Sequence, residues 1–212
     1  MRQALIVGTG GHCRVLLSLL AARGEHEVIG IVDLAEPRAG EVVMGIPVIC
    51  SSTGLEAFRG RTDLDVFLAI GDNALRRTWW EKSNELGLAL PNLVSPHAIV
   101  DRRARLGGSN VVCARVFIGP EAILGDNNLI NTAAVVEHEV KVGSHCHLAP
   151  SSTVAGRCQI GDGCFVGAGA TVIDSVDVAS GITIGAGGTV IRSITEPGGV
   201  YVGTPAKRLV PS

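Results

Sequence analysis

The segment Asn131-Thr132-Ala133-Ala134-Val135-Val136-Glu137-His138-Glu139, followed by His145 and His147, holds the densest polar chemistry of the chain. Three of its six histidines fall within ten residues. Glu137 and Glu139 flank His138. A carboxylate beside an imidazole orients the ring and raises its basicity, which is what a general base needs. The plain alternative is a solvated histidine at a turn, and the clustering weighs against it. A zinc site is a third reading. His145 and His147 are only two apart and the nearby cysteines read as core residues, so no metal is expected.

A second group lies near the N-terminus. Gly8-Thr9-Gly10-Gly11-His12 follows the apolar run Ala4-Leu5-Ile6-Val7 and precedes a helical pattern. Such a turn presents backbone amides and a helix N-terminus to an anion. Asp33 ends the next apolar run, where dinucleotide folds place a ribose-binding acid. The full G-x-G-x-x-G pattern fails, because Cys13 stands at its last glycine. A nucleotide or nucleotide-sugar pocket is the favoured reading; NAD binding and a purely structural turn are the alternatives.

The elements that must carry the histidines follow from a period. From Val94 to Val190 every sixth residue is Val, Leu or Ile, at all seventeen positions. A six-residue repeat of this kind belongs to a parallel β-helix, each hexad supplying one flat side of a triangular coil. The aliphatic residue points inward. The next position is often glycine (Gly107, Gly119, Gly125, Gly143, Gly161, Gly167, Gly185), as expected for a corner of unusual backbone angles. The fifth position is small, from Ala98 through Cys146, Cys158 and Cys164 to Ala170, and is expected to share the narrow core. Asn110 and Asn128 interrupt that column and are expected to bond backbone groups at turns. Three hexads make a coil, so residues eighteen apart stack. His138, third in its hexad, falls at a corner and points outward.

Composition bounds the function. Aromatics are only 3% and glycines number 28, in keeping with an aliphatic solenoid. The net charge of −2 and the lack of a Lys/Arg run tracking a phosphate backbone argue against nucleic-acid binding. No apolar run approaches the ~20 residues of a membrane span. Leu5–Val7 is a short strand and not the core of a signal peptide. None of the six cysteines forms a C-x-x-C pair. Reduced core thiols, as in a cytoplasmic protein, are expected.

Residues 1–90 follow another grammar. Apolar runs at 4–7, 28–32 and 65–70 read as strands. Residues 13–23 and 74–86 read as helices, 52–58 as a short helix, and 34–50 as loop. Alternating strands and helices give a small parallel sheet, a half-Rossmann α/β domain. The hinge lies near Pro91–Pro96, and residues 91–212 form the β-helix domain with a C-terminal tail.

The chain resembles the bacterial β-helix sugar acetyltransferases of the sialic-acid, bacillosamine and perosamine pathways. The likeness covers nearly the whole chain. It rests on Gly10-Gly11-His12, Ala69-Ile70-Gly71-Asp72-Asn73, Asn131-Thr132, Val136-Glu137-His138-Glu139, Cys146-His147 and Val202-Gly203-Thr204-Pro205-Ala206-Lys207. The resemblance alone implies that the helix is left-handed, against the general preference for right-handed crossovers. It implies that His138 is the base and Glu139 its support. It implies that His147 meets the thioester of acetyl-CoA and that Gly156, Ala168 and Ala186 line the pantetheine groove. Gly10, Gly11, His12, Asp33, Gly71 and Asn131 would hold a nucleotide-linked sugar. It also implies a homotrimer with CoA between neighbouring solenoids. Two positions depart from relatives: Leu34 stands where some carry a second acid, and Ala186 where a relative has Gly.

The expected reaction is acetyl transfer from acetyl-CoA to the amine of a nucleotide-linked 4-amino-4,6-dideoxy sugar for surface-glycan synthesis. The inward cysteines are not expected as nucleophiles. O-acetylation of a sialic acid or another sugar uses the same machinery and stays open. A non-catalytic trimeric scaffold has no use for His138 between two acids. A nucleotidyltransferase fusion needs a longer N-terminal domain with a basic phosphate loop.

Overall fold

The computed structural model of the protein describes residues 1–209, which form two compact units, Met1–Pro96 and His97 onward.

In the first unit, the strands β1 (Arg2–Val7), β2 (His26–Asp33), β3 (Val42–Val43), β4 (Ile46–Ser51) and β5 (Leu64–Leu68) form one sheet in the order β3-β4-β2-β1-β5. β1 pairs parallel with both β2 and β5, and β2 pairs parallel with β4. Strands buried on both faces read as unbroken apolar runs, and residues 4–7 and 64–68 are wholly buried. Helix α1 (Gly11–Arg23) links β1 to β2 and buries Leu16, Leu17, Leu19 and Leu20. Its end is a glycine stop: Gly24 adopts φ 67° and its amide bonds the Leu20 carbonyl. Helix α2 (Asn73–Glu85) begins at Asp72, whose carboxylate caps the Leu75 amide at 2.7 Å.

Residues 34–50 are not simply loop. They hold β3, β4 and the antiparallel pairing between them. Met44 and Gly45 both have positive φ, 49° and 82°, the signature of a tight two-residue hairpin turn. Pro47 inside β4 masked the strand in the sequence, because proline is confined to sheet edges. The segment Ser52–Phe58 is a 3-10 helix.

The second unit is a parallel β-helix. Strands of mostly two residues fall every six residues and stack into three parallel sheets. One sheet runs from Ile99–Val100 through Phe117–Ile118, Val135–Val136, Thr153–Val154 and Thr171–Val172 to Thr189–Val190. The second runs from Arg105–Leu106 to Asp177–Val178, and the third includes Leu129–Ile130, His147–Leu148 and Phe165–Val166. Partners are eighteen residues apart, as in Ile118↔Val136 and Ile130↔Leu148. The aliphatic column is half-buried at Val94, Val100 and Leu106 and sealed from the next hexad on: Val112, Ile118, Ile130, Val136, Leu148, Val154, Val166 and Val172 are fully buried. Each such side chain contributes about 1.5–3 kcal/mol by leaving water. The small column beside it is equally buried, from Val116 and Ala122 to Cys164 and Ala170. Asn110 donates to the carbonyls of Gly107 and Gly125 and accepts from the Asn128 amide; Asn128 accepts from the Cys146 amide. This buried amide ladder satisfies a turn that apolar residues would leave unpaired.

The glycine column has another cause than the one expected. Gly107, Gly119, Gly125, Gly143, Gly161, Gly167 and Gly185 lack the left-handed backbone. That conformation belongs two positions later, at Arg115, Glu121, Ala133, Glu139, Ser151, Arg157 and their equivalents. The glycines are small because the next coil presses on them. A Cβ on Gly119 would lie 2.8 Å from the His138 amide nitrogen, and one on Gly167 2.6 Å from the Ala186 amide nitrogen.

Candidate active site

His138 follows Val135–Val136 and stands at the corner between the first and second sheets. Its ring is 41% exposed, so it is open to a substrate. Nδ1 lies 3.0 Å from Oε2 of Glu139, itself half exposed. With an ionised Glu139 as acceptor, Nδ1 carries the proton and Nε2 keeps its lone pair. Glu137 turns back toward the corner, its Oε2 3.4 Å from the His138 amide.

The corner is built by stacking. Gly156 lies one coil beyond His138 and Asp174 two coils beyond, eighteen residues apart in turn. A Cβ on Gly156 would fall 2.5 Å from Cε1 and 2.6 Å from Nε2 of His138, and 3.0 Å from Oδ1 of Asp174. The imidazole therefore occupies the space that the missing side chain leaves. Asp174 is held by Arg157 at 2.6 Å and by the Ser175 hydroxyl at 2.9 Å. The Ser175 and Arg157 hydrogen bonds keep its carboxyl below the usual aspartate range. Asp174 and Arg157 carry no signal in a pairwise motif, though the eighteen-residue step from His138 points to Asp174.

The other expected acyl-site residues occupy different places on the coil. His147 lies on the third sheet, not at the His138 corner. It is only 9% exposed, its Nε2 is 3.2 Å from Nδ2 of Asn131, and its ring meets Phe165 edge-on at 5.1 Å. Ala168 and Ala186 are exposed and stacked on the corner after the third sheet, with the Gly187 amide bonding the Ala168 carbonyl. His145 pairs with Asn127 at 2.9 Å. Among the described residues, no group of three or more His, Cys, Asp and Glu side chains is arranged to hold a metal.

None of the six cysteines is in a disulfide. Burial pushes the Cys113 thiol up to about 12 and that of Cys13 to about 11. The adjoining Cys164 thiol and burial push Cys146 well up. Cys164 moves the opposite way through its hydrogen bond with Cys146, but it is sealed in the core with no exposed surface.

In the first unit the turn after β1 is held at its base. Gly8 has φ 108°, and a Cβ there would sit 2.9 Å from the Ala69 carbonyl oxygen. Beyond it the turn is open: Gly10, Gly11 and Gly71 would each bring a Cβ into contact with nothing within 4 Å. Asp33 accepts from the Thr9 hydroxyl at 3.1 Å and from the Ala35 amide at 3.3 Å, which fixes one carboxylate oxygen toward the turn. His12 is half-buried in the first turn of α1. Arg76, only 2% exposed, donates to the carbonyls of Ile70 and Gly71 and to Oδ1 of Asn73. It shapes the Gly71 loop from below. On sequence alone, an arginine in a polar helix reads as solvated.

The family model of the PglD N-terminal domain matches residues 3–83. No curated protein matches the chain. Among solved structures, a mutant of perosamine N-acetyltransferase from Caulobacter crescentus, in complex with CoA and GDP-perosamine, is 37% identical with a TM-score of 0.92, covering 99% of this chain and 97% of that one. The acetyltransferase domain of PglB from Neisseria gonorrhoeae is 34% identical with a TM-score of 0.91, covering 99% of this chain and 100% of that one. WeeI from Acinetobacter baumannii, at 17% identity and a TM-score of 0.65, shares the fold alone. The β-helix is accordingly the left-handed one. With a PglD-type α/β domain ahead of that helix, the chain belongs to the sugar acetyltransferase family of the perosamine and PglB enzymes, and it is an acyltransferase.

Proposed function

We propose that the protein transfers an acetyl group from acetyl-CoA to the amine of a nucleotide-linked 4-amino-4,6-dideoxy sugar, with His138 as general base. The observation that carries this is the His138–Glu139 pair at 3.0 Å on an exposed corner. The perosamine enzyme, complexed with CoA and GDP-perosamine, supports the substrate class.

Glu139 holds the ring through Nδ1, so Nε2 can accept a proton. As the amine nitrogen bonds to the thioester carbonyl carbon, its proton passes to Nε2. The C–S bond then breaks and the proton leaves with the CoA sulfur. Glu139 stabilises the imidazolium formed between the two steps. No covalent enzyme intermediate is required.

The open turn at Gly10, Gly11 and His12, with Asp33 and Gly71, takes the nucleotide sugar. Its backbone amides and helix N-terminus suit a pyrophosphate or a neighbouring polar group of the nucleotide, and Asp33 has a carboxylate oxygen left for a hydroxyl. Asn131 belongs with the sugar acceptor and His147 with the acyl donor, meeting the thioester. Gly156 and the pair Ala168 and Ala186 lie on different corners of the β-helix. A pantetheine groove that uses both corners is completed by a neighbouring chain, and a homotrimer supplies it. A cytoplasmic site agrees with six cysteines that form no disulfide. No described helix is long and apolar enough to cross a membrane.

The test is turnover of acetyl-CoA with a panel of nucleotide-linked 4-amino sugars, read by free thiol release. His138→Asn is expected to lower kcat at least ~10²-fold, the range for a lost general base. Unchanged turnover at saturating substrates removes His138 from the mechanism. Light scattering is expected to give the mass of three chains; a monomer at micromolar concentration rejects the trimer.

A further inference from the structure

A cleft of about 790 Å³ runs along the second sheet of the β-helix from the His138 corner toward the first coils. Five cationic side chains line it: Arg102, Arg103, Arg105, Lys141 and Arg157. Against them stand two carboxylates, Glu121 and Glu139. The concavity thus gathers an excess of three positive charges on a chain whose net charge is −2.

Stacking explains how the cations come together. Arg105, Ile123, Lys141 and Gln159 are consecutive rungs of one outward-facing ladder. Arg105 and Lys141 therefore stand two strand spacings apart, about 10 Å. Long side chains on either side of Ile123 can converge on one anion across that span. Arg103, Glu121, Glu139 and Arg157 form the adjacent corner column, and Arg102 belongs to the column of His138 itself.

These charges are not spent on the fold. Of the five cations only Arg157 has an ion-pair partner, Asp174, among the described residues. Arg102, Arg103, Arg105 and Lys141 are exposed and unpaired. Like charges facing one concavity repel each other and focus a positive field into it. Guanidinium groups match phosphate oxygens in two-pronged hydrogen bonds, and lysine adds a point charge. Glu139 lines the cleft and also holds His138, so the cleft opens onto the reacting centre.

We propose that this cleft is a diphosphate subsite of the transfer reaction, holding the phosphates of one substrate between Arg105 and Lys141 on the sheet that leads away from the His138–Glu139 pair. The proposal rests on the acetyl-transfer reading above. Two substrates carry that chemistry: acetyl-CoA and the nucleotide-linked sugar.

The experiment has a binding arm and a kinetic arm, both on the full chain. Calorimetric titration with inorganic pyrophosphate compares the unaltered protein with Arg105→Gln/Lys141→Gln, and with Arg77→Gln as a charge control on helix α2. The double variant is expected to weaken pyrophosphate binding at least ~10-fold, the size of a lost charged hydrogen bond, and the control to leave it unchanged. Steady-state kinetics of the double variant then assign the source. A raised KM for acetyl-CoA alone assigns the cleft to CoA, and a raised KM for the nucleotide sugar alone assigns it to the acceptor. Equal pyrophosphate affinity in all three proteins, or none in any, overturns the proposal. So does a double variant that alters the assembled mass in light scattering while keeping its pyrophosphate affinity, for the cleft is then a surface between copies. Pyrophosphate binding needs no turnover, so the two readings fail separately. Charge-dependent binding without acetyl transfer to any sugar refutes the reaction, and normal transfer without such binding refutes the subsite.

Discussion

Glycine serves opposite purposes in the two units. In the β-helix, the residues after the inward aliphatics are glycine because the neighbouring coil leaves no room. A Cβ on Gly119, Gly143 or Gly167 would press within 2.9 Å of backbone one coil away. In the turn after β1, Gly10 and Gly11 face empty space, as does Gly71 after β5. The first set is explained by packing within the protein. The second is not explained by any protein atom, and open backbone at a helix N-terminus is what a ligand requires. Gly8 belongs with the first kind although it lies beside the second, since the Ala69 carbonyl closes the space over it. Gly156 belongs to neither, for the space beside it is filled by the His138 imidazole.

Substitutions at these glycines separate the three roles. Gly167→Ala is expected to have the largest effect on stability. Its Cβ meets backbone that cannot swing aside, and such overpacking costs about 1–3 kcal/mol. Thermal melting is the measurement; an unchanged Tm would show that the coils can slide apart at little cost. Gly156→Ala should behave differently. The obstructed group is a side chain, so the fold gives way by turning His138. A displaced base is expected to lower kcat about 10- to 100-fold with Tm nearly kept. Normal kcat there would mean that the ring position over Gly156 is not the reactive one.

Glu139→Ala is expected to cost less than His138→Asn, about 10-fold in kcat. Glu139 orients and charges the base but does not itself move the proton. A loss as large as that of His138→Asn would give Glu139 a direct part in the transfer. The smallest effects are expected in the first unit. Gly11→Val fills the open turn and Asp33→Ala removes an acceptor. Both should raise KM for the nucleotide sugar several-fold, as for one or two lost hydrogen bonds, and leave KM for acetyl-CoA and the Tm unchanged. If the acetyl-CoA KM rose instead, the two sites would be reversed.

Much of the β-helix was legible because it is nearly one-dimensional. A residue's neighbours lie at fixed steps of six and eighteen, so the inward columns, the Asn110–Asn128 ladder and the outward corner of His138 follow from counting. The first unit yielded less. Its hairpin at Val42–Ser51 was hidden by Pro47, and the role of Arg76 depends on loop carbonyls that no local pattern announces.

By itself, the sequence determined the repeat, the inward residues, the acid-flanked histidine and the strand-turn-helix at Gly8–His12, because each is a local or strictly periodic property of the chain. Tertiary structure decided why the glycines are there, how the imidazole rests over Gly156 with Asp174 beyond it, and how five scattered cations meet in one cleft. Those depend on the direction in which side chains leave a stacked backbone and on how closely successive coils approach. A one-dimensional string records which residues share a column, but not how much space the column leaves.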